Sequence, residues 1–270
     1  MIDKHNTMYS IMSACPICGS SAWRARDHTL VRCFTCGLVA TATPHFQDDL
    51  TLYDATYYSD RNAYLSSEQE FLPIYLNILD RLRPFKVSGS LLDVGCGVGQ
   101  LIAAANDRGY QGSGCDVSQW ATNYARSLGL DVHTGRIDEL EYPTASYDVV
   151  VLNHTLEHIA ELRVFLQELH RILADDGILV VGVPNFGGLF STLMRSRWAG
   201  LLPDQHYWHF TAGTLRQLLT VAGFSVKKIY VEPHIHRHQH LVKNIALRAL
   251  SQLATWTRSS DDLLAIACKS

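Results

Sequence analysis

The sequence predicts an α/β fold, in which helices cover both faces of a parallel sheet, with a small metal-binding module before it. Three observations support this prediction: apolar runs that alternate with helical patterns from residue 68 onward, a glycine-rich turn after the first of these runs, and four N-terminal cysteines in two C-x-x-C pairs. At 270 residues, 47% of them hydrophobic, the chain has room for one full α/β domain and a small appendage.

The four N-terminal cysteines predict a closed metal site. Cys15 and Cys18 form one pair, Cys33 and Cys36 form the other, and a glycine follows each pair. Two such knuckles, 14 residues apart, are typical of a zinc ribbon, in which four thiolates surround a structural Zn²⁺ ion tetrahedrally. Disulfides would need an oxidising compartment, and a redox C-x-x-C pair would need a thioredoxin-like strand and helix around it.

On this interpretation the chain has three parts. We predict a zinc-ribbon module over residues 1–45, a connector over 46–67 and the main domain over 68–270. Because about 40 residues build little hydrophobic core, the metal is expected to supply most of the folding energy of the module.

The main domain shows the alternation of helices and strands that a parallel sheet requires. Apolar residues at helical spacing predict a first helix that stops before Pro84, and an amphipathic pattern closed by Gly223 predicts a late one. The fourth apolar run is almost continuous, as expected for a strand covered on both faces. The predicted elements are, in order, helix 68–83, strand 91–94, helix 100–106, strand 111–116, strand 130–132, strand 147–152, strand 178–183 after a turn at 176–177, helix 214–222, strand 224–231 and strand 262–268.

The glycine-rich turn is the most specific motif in the sequence. Asp93 lies near the end of an apolar strand, and Gly95, Gly97 and Gly99 follow at alternate positions. A dinucleotide-binding loop requires G-x-G-x-x-G, and the third glycine is missing whether the count starts at Gly95 or at Gly97. The pattern D-x-G-x-G-x-G after an apolar strand resembles instead the loop that binds S-adenosylmethionine (SAM) in class I methyltransferases.

This resemblance extends from about Tyr64 to the C-terminus. It implies a doubly wound, Rossmann-like, seven-stranded sheet whose last strand runs antiparallel and is inserted beside its predecessor. It also implies that Asp93 helps to hold the amino group of SAM. Asp116 ends the second strand, 21 residues after Gly95, and a carboxylate there is expected to bind the two ribose hydroxyls. Capping the next helix is a second role that Asp116 can combine with the first.

The adenine contact departs from the family pattern. Many relatives have an Asp after the glycine that follows the third strand, and this chain has Arg136 there. We therefore expect backbone groups around Arg136 and Ile137 to contact the adenine edge. The SAM-binding residues that the resemblance implies are Asp93, Gly95, Cys96, Gly97, Gly99, Asp116, Val117, Ser118, Arg136, Ile137, Asn153 and His154.

The candidate catalytic residues His154, Glu157 and His158 follow the fourth strand, at the sheet edge where ligands bind. The segment resembles the L-E-H-I stretch of many small-molecule methyltransferases, and the E-H pair that sugar C-methyltransferases with a zinc module place beside their substrate. The resemblance implies that His158 takes a proton from the acceptor, with Glu157 orienting it or binding a hydroxyl. His154 shares a face with His158 if the helix has already begun. Packing at the helix start is the alternative role.

Two further groups of histidines are candidates for binding roles. His206 and His209 lie among aromatic residues and are suited to gripping a sugar or phenol, with a structural role as the alternative for each. The four alternating histidines of residues 234–240 would share one face of an extended chain, as a metal site or as a solvated edge. The apolar helical insert at 241–257 is suited to a lid, to a homodimer contact or to docking on the same chain.

Composition narrows the partners and the compartment. The net charge of −3 provides no basic field, so nucleic acid is not an expected partner. Neither a signal peptide nor a membrane-spanning run is apparent, which predicts a cytoplasmic protein without a membrane partner.

These features together predict a SAM-dependent methyltransferase that modifies a hydroxyl of a small molecule, such as a sugar, a glycan precursor or a secondary metabolite. Carbon and nitrogen acceptors are less favoured, because the related sugar C-methyltransferases have a further large C-terminal domain, and the N-P-P-Y or D-P-P-Y segment of base N-methyltransferases is missing. Two alternatives stay open. One is an RNA methyltransferase that uses the ribbon to bind RNA, and the other is a scaffold that binds SAM without turnover.

Overall fold

The computed structural model describes residues 14–27, 29–42, 68–232 and 260–270. The connector at 46–67, the histidines of residues 234–240 and the helical insert at 241–257 lie outside the described residues. None of the described helices is long and apolar enough to cross a bilayer.

A seven-stranded sheet forms the centre of the molecule and confirms the predicted α/β fold. The strand order is β10-β11-β8-β7-β4-β5-β6; β11 runs antiparallel to both of its neighbours, and the other pairs are parallel. The strands of this sheet are β4 (Gly89–Val94), β5 (Tyr110–Asp116), β6 (Asp131–Thr134), β7 (Tyr147–Asn153), β8 (Leu173–Pro184), β10 (Phe224–Glu232) and β11 (Asp262–Lys269).

Helices cover both faces of this sheet, as its apolar strands require. The middle of β7 is fully buried, since Val149 and Val151 face one hydrophobic cluster and Val150 and Leu152 face the other. The helices are α1 (Glu68–Leu82), α2 (Gln100–Asp107), α3 (Gln119–Ser127), α4 (Leu162–Ile172), α5 (Leu189–Met194) and α6 (Ala212–Val221). Because β4 and β7 are adjacent and parallel, the glycine turn and the loop after β7 emerge at the same edge of the sheet.

A second, smaller sheet joins the N-terminal module to the main domain. Its order is β1-β2-β3-β9, with β1 (Trp23–Ala25), β2 (Leu30–Cys33) and β3 (Val39–Thr41) from the module and β9 (Trp208–His209) from the main domain. Arg163 in α4 also donates hydrogen bonds to the carbonyls of Pro16 and Ile17, at 2.7 and 3.3 Å. The buried side chains of Leu38 and Trp208 belong to one hydrophobic cluster. The module and the main domain therefore share a sheet and a core.

One predicted local feature was wrong, the turn at 176–177, and the structure refines two others. The third strand of the main domain is β6 and covers Asp131–Thr134, not 130–132, because its pairing with β5 continues to Thr134. Residues 176–177 are not a turn before a strand: β8 begins at Leu173, and its extra residues form a bulge opposite β7. The helix after β7 has not begun at His154, which has a φ of 55°, so His154 and His158 do not share a helix face; α4 starts at Leu162.

Candidate functional site

The four N-terminal cysteine sulfurs lie close enough together to hold one ion. The Sγ atoms of Cys15 and Cys36 are 3.4 Å apart, those of Cys18 and Cys33 are 3.6 Å apart, and all four lie within 4.8 Å of one another. Tetrahedral Zn²⁺ with Zn–S bonds of about 2.3 Å places its sulfurs about 3.8 Å apart. The donor set therefore fits Zn²⁺ with little movement.

The two cysteine knuckles have the same backbone geometry. The Gly19 N–H donates to the Cys15 carbonyl at 2.9 Å, and the Gly37 N–H donates to the Cys33 carbonyl at 3.0 Å. Both glycines have positive φ angles, 72° and 83°. The glycine after each C-x-x-C pair thus allows the chain to fold back and aim both sulfurs at one centre.

The glycine turn after β4 exposes backbone at Gly95 and, in part, at Gly97, whereas Gly99 is buried. Gly95, Gly97 and Gly99 have φ angles of 78°, 52° and 82°, a region that disfavours any other residue. A Cβ at Gly95 would run into the side chain of Thr155, and one at Gly99 would come within 2.5 Å of the Leu130 side chain. A ligand can approach such a loop to van der Waals contact, and this fits the methionine part of SAM.

Two buried carboxyl groups flank this loop. Asp93 is 4% exposed and Asp116 is 9% exposed, and among the described residues no basic side chain forms an ion pair with either. Burial and the charge of Asp116 raise the pKa of Asp93 to about 8. Burial also raises the pKa of Asp116, although N–H groups of Ser118 and Gly97 oppose the shift. A cationic ligand such as the ammonium group of SAM would relieve this crowding of negative charge.

Each carboxylate oxygen of Asp116 accepts one hydrogen bond and has a lone pair left for another. Oδ2 accepts from Gly97 N–H and Oδ1 accepts from Ser118 N–H, both at 2.8 Å. An ionised carboxylate has about four lone-pair sites, so a pair of ribose hydroxyls can still be accepted. The next helix is capped by the Ser118 hydroxyl, which accepts from Ala121 N–H, and not by Asp116.

The remaining predicted SAM contacts differ in whether the side chain or only the backbone can reach a ligand. The side chains of Cys96 and Ile137 are buried in the hydrophobic core, so at these positions only the backbone can meet a ligand. Burial raises the pKa of Cys96 well above that of an ordinary thiol, which keeps it protonated. Arg136 is exposed, its side chain pairs with Asp138 at 3.1 Å, and its N–H donates to Glu139 at 3.3 Å.

The loop after β7 holds the three predicted catalytic side chains and is tied to the glycine turn by Thr155. Thr155 Oγ1 donates to the Val94 carbonyl at 2.9 Å, which ties the two loops together. Glu157 is 1% exposed, and its Oε1 is 3.3 Å from His154 Nδ1. His158 Nδ1 lies 2.9 Å from the Gln205 carbonyl; because a carbonyl only accepts, Nδ1 carries the proton and the lone pair of the neutral ring is on Nε2.

The charges of these three side chains follow from their surroundings. Burial would lower the pKa of His154, but the carboxylates of Asp262 and Glu157 outweigh it and raise that pKa to about 9. Burial would raise the pKa of Glu157, but its contact with His154 lowers it to about 2. Burial lowers the pKa of His158 despite the opposing charge of Glu157. At neutral pH the loop therefore presents a cationic His154, an anionic Glu157 and a neutral His158.

The segment around β9 contributes His206 to this group of side chains, and strand β3 of the N-terminal module holds that segment in place. The rings of His158 and His206 make an edge contact with centroids 4.7 Å apart. Thr41 in β3 donates from Oγ1 to the His206 carbonyl at 2.6 Å, and the same oxygen is 3.1 Å from His209 Nε2. Burial lowers the pKa of His206 to about 3 and that of His209 to about 4, so both rings are neutral. His206 thus belongs with the candidate catalytic residues.

Sequence reasoning missed three contacts at this site. The Gln205 carbonyl fixes the tautomer of His158, Thr155 locks the two loops, and Asp262 Oδ1 lies 3.8 Å from His154 Nε2. The first two depend on loop conformation and have no sequence signal. Asp262 could have been found, because an antiparallel last strand beside β8 brings its first residue to the carboxyl end of that strand, where Asp262 pairs with Pro184.

The arrangement can bind a sulfonium cofactor on the glycine loop and accept a proton next to it. Exposed backbone and buried acids lie at the turn after β4, and a neutral imidazole beside a buried carboxylate lies in the loop after β7. This combination suits group transfer to a protic nucleophile, which must be positioned and then deprotonated.

Comparisons with known proteins identify the family of this chain. The family described as "Methyltransferase domain" matches residues 67–229. A probable S-adenosylmethionine-dependent methyltransferase of Mycolicibacterium smegmatis is 31% identical over 139 residues, which are 51% of this chain and 52% of that protein. A ubiquinone biosynthesis O-methyltransferase of Rickettsia prowazekii is 32% identical over 151 residues, which are 52% of this chain and 60% of that protein. The chain thus spans between half and three fifths of the length of these curated relatives.

A solved structure shares the fold. The crystal structure of a SAM dependent methyltransferase from Archaeoglobus fulgidus superposes with a TM-score of 0.55 and 21% sequence identity, and the match covers 76% of this chain and 99% of that chain.

Proposed function

This chain belongs to the methyltransferase domain family, and on that premise we propose that it is a SAM-dependent enzyme that methylates a hydroxyl group of a small molecule. A sugar, a glycan precursor or a secondary metabolite is the proposed acceptor class. The observation that carries this proposal is the neutral, oriented imidazole of His158 in the loop after β7, which Thr155 ties to the end of β4. Similarity to a relative named as an O-methyltransferase supports a hydroxyl acceptor.

SAM binding is proposed along the glycine loop. Asp93 holds the ammonium group, Asp116 accepts the ribose hydroxyls, and the backbone from Gly95 to Gly99 packs against the methionine part. Backbone groups near Arg136 contact the adenine. The other proposed contacts are Val117, Ser118, Ile137, Asn153 and His154.

Bound SAM supplies a methyl group that is already electrophilic because it is attached to a sulfonium. With SAM bound, the protein would position the acceptor oxygen for attack on the methyl carbon, so that the O–C bond could form as the C–S bond breaks. His158 Nε2 takes the hydroxyl proton, so the products are the methyl ether and neutral S-adenosylhomocysteine. Glu157 stabilises the imidazolium that forms, and the cationic His154 keeps Glu157 ionised.

The four cysteines are proposed to hold a structural Zn²⁺ ion. All four ligand positions are protein thiolates, so the ion has no open position for chemistry. Its role is to stabilise the module whose strand β3 holds the segment with His206. The ribbon thereby contributes to the acceptor side of the site.

Methyl transfer from labelled SAM to pools of hydroxylated small molecules tests the function. We expect a soluble labelled product, and we expect His158→Gln to lower kcat by roughly 10²–10⁴-fold. His170→Gln, on α4 away from the site, is the matched control and keeps the activity. The rate should rise with pH through a pKa below 6.5, since burial lowers the pKa of His158. Transfer to RNA instead, or an unchanged rate in His158→Gln, contradicts the proposal.

Calorimetric titration with SAM separates binding from turnover. We expect Asp116→Ala to weaken SAM binding without unfolding the protein, because the carboxylate is the proposed ribose acceptor. SAM binding without transfer to any acceptor pool would favour the scaffold interpretation.

A further inference from the structure

A second group of metal-type ligands lies at the carboxyl end of β7, apart from the four cysteines. Glu157, His158 and His206 each offer one donor atom, and these atoms all lie within 4.8 Å of one another. Glu157 and His206 are buried, with 1% and 4% exposure. The donor set is two imidazoles and one carboxylate, which is a known set for divalent transition ions.

Glu157 has an unsatisfied oxygen at this place. Its Oε1 contacts His154, whereas Oε2 is buried and has no hydrogen-bond partner among the residues that the structure describes. A buried carboxylate oxygen without a partner is costly, so its presence points to a donor or a cation that binds there.

His158 is oriented as a metal ligand is. Its Nδ1–H donates to the Gln205 carbonyl at 2.9 Å, which places the lone pair on Nε2. Histidines that bind metals nearly always donate their other N–H to a carbonyl or carboxylate in this way. His206 is held from outside the cluster, because Thr41 binds its backbone carbonyl.

We propose that Glu157, His158 and His206 bind a divalent first-row transition ion, for which Zn²⁺ is the probe. Ligand bonds of about 2.0–2.2 Å in tetrahedral geometry place the donor atoms about 3.4 Å apart, so the side chains close by at most about 1.4 Å. Three protein ligands leave one position open, unlike the closed site of the four cysteines.

The ion also regulates the reaction, a consequence that rests on the proposed function. The lone pair of His158 that accepts the hydroxyl proton is the one that binds the ion. An enzyme with the ion bound therefore lacks its base, and added Zn²⁺ inhibits methyl transfer.

Metal counting on the full chain tests the site without relying on activity. Protein is prepared with its ribbon zinc, treated with a weak chelator, and titrated with Zn²⁺ and separately with Co²⁺, whose visible absorption reports nitrogen and oxygen ligands without thiolate bands. We expect two ions per chain in the wild type and one in Glu157→Gln and in His206→Asn. In both variants the affinity of the second site for Zn²⁺ should fall by more than the roughly 10–100-fold that is typical when an outer-shell partner of a metal ligand is removed. His209→Asn, three residues along the same segment, is the matched control and keeps two ions.

The wild-type result stands whether or not a variant folds. A wild-type chain that binds only the ribbon ion, or a second ion that remains in folded Glu157→Gln and His206→Asn, overturns the proposal. The metal count needs no substrate. A failure of the proposed methyl transfer therefore does not affect it, and the two proposals can fail independently.

Discussion

The buried pair of acids at the glycine loop makes a sharp prediction about stability. In the folded protein the pKa of Asp93 is about 8, against an ordinary value of 3.8. A pKa raised by folding means that the native state holds a proton which the unfolded chain releases, so stability is lost as pH rises from about 4 to about 8. At pH 7 this cost is on the order of 4 kcal/mol. Asp93→Asn removes it, because the amide stays neutral at every pH.

Urea unfolding of the SAM-free protein between pH 5 and pH 8 measures this effect. We expect Asp93→Asn to be more stable than the wild type, by a margin that grows by about 1.4 kcal/mol per pH unit up to pH 8. The matched control is Asp148→Asn in the neighbouring strand β7. Hydrogen bonds from the Ser90 N–H and hydroxyl lower the pKa of Asp148, so its contribution to stability is complete by about pH 5. The stability difference between Asp148→Asn and the wild type therefore stays constant from pH 5 to pH 8.

The same substitution should act in the opposite direction on ligand binding. If Asp93 holds the ammonium group of SAM, the variant loses a charge-assisted hydrogen bond of about 1.5–3 kcal/mol and binds SAM roughly 10–100-fold more weakly. A stability margin that does not change with pH, or a less stable variant at pH 8, would refute the reasoning about the buried acids.

Three further predictions concern the loop and the ribbon. Cys18→Ser should release the structural zinc ion, as measured by atomic absorption and by a lower Tm, whereas Cys268→Ser should keep it. Gly95→Ala should lower the free energy of unfolding by roughly 1–3 kcal/mol more than Gly109→Ala does. Both glycines have positive φ, but only an alanine at position 95 would clash with a neighbouring side chain. Equal losses would contradict this. Arg163→Gln should loosen the ribbon by about 1–3 kcal/mol, seen as faster zinc loss to a chelator, and an unchanged rate would count against the contact.

The sequence was sufficient for features that depend on neighbours in the chain. The C-x-x-C pairs fold into knuckles because two cysteines and a following glycine determine a turn on their own. The strand–glycine–helix motif is equally local, since positive φ angles at Gly95 and Gly99 select glycine wherever they occur. Alternation of apolar runs with helices then implied the parallel sheet, because such strands need cover on both faces.

Only the tertiary structure decided how the site is assembled. The Gln205 carbonyl lies 47 residues from His158, and Thr41 lies 165 residues from His206. The sequence presented the histidines of the two segments as separate clusters. It left open whether a helix had begun at His154, and the positive φ there shows that it has not. These contacts depend on β9 pairing with the ribbon and on a loop conformation held by distant atoms. Spacing along the chain carries no information about such pairings, because their free energy comes from packing among segments that meet only in the folded protein.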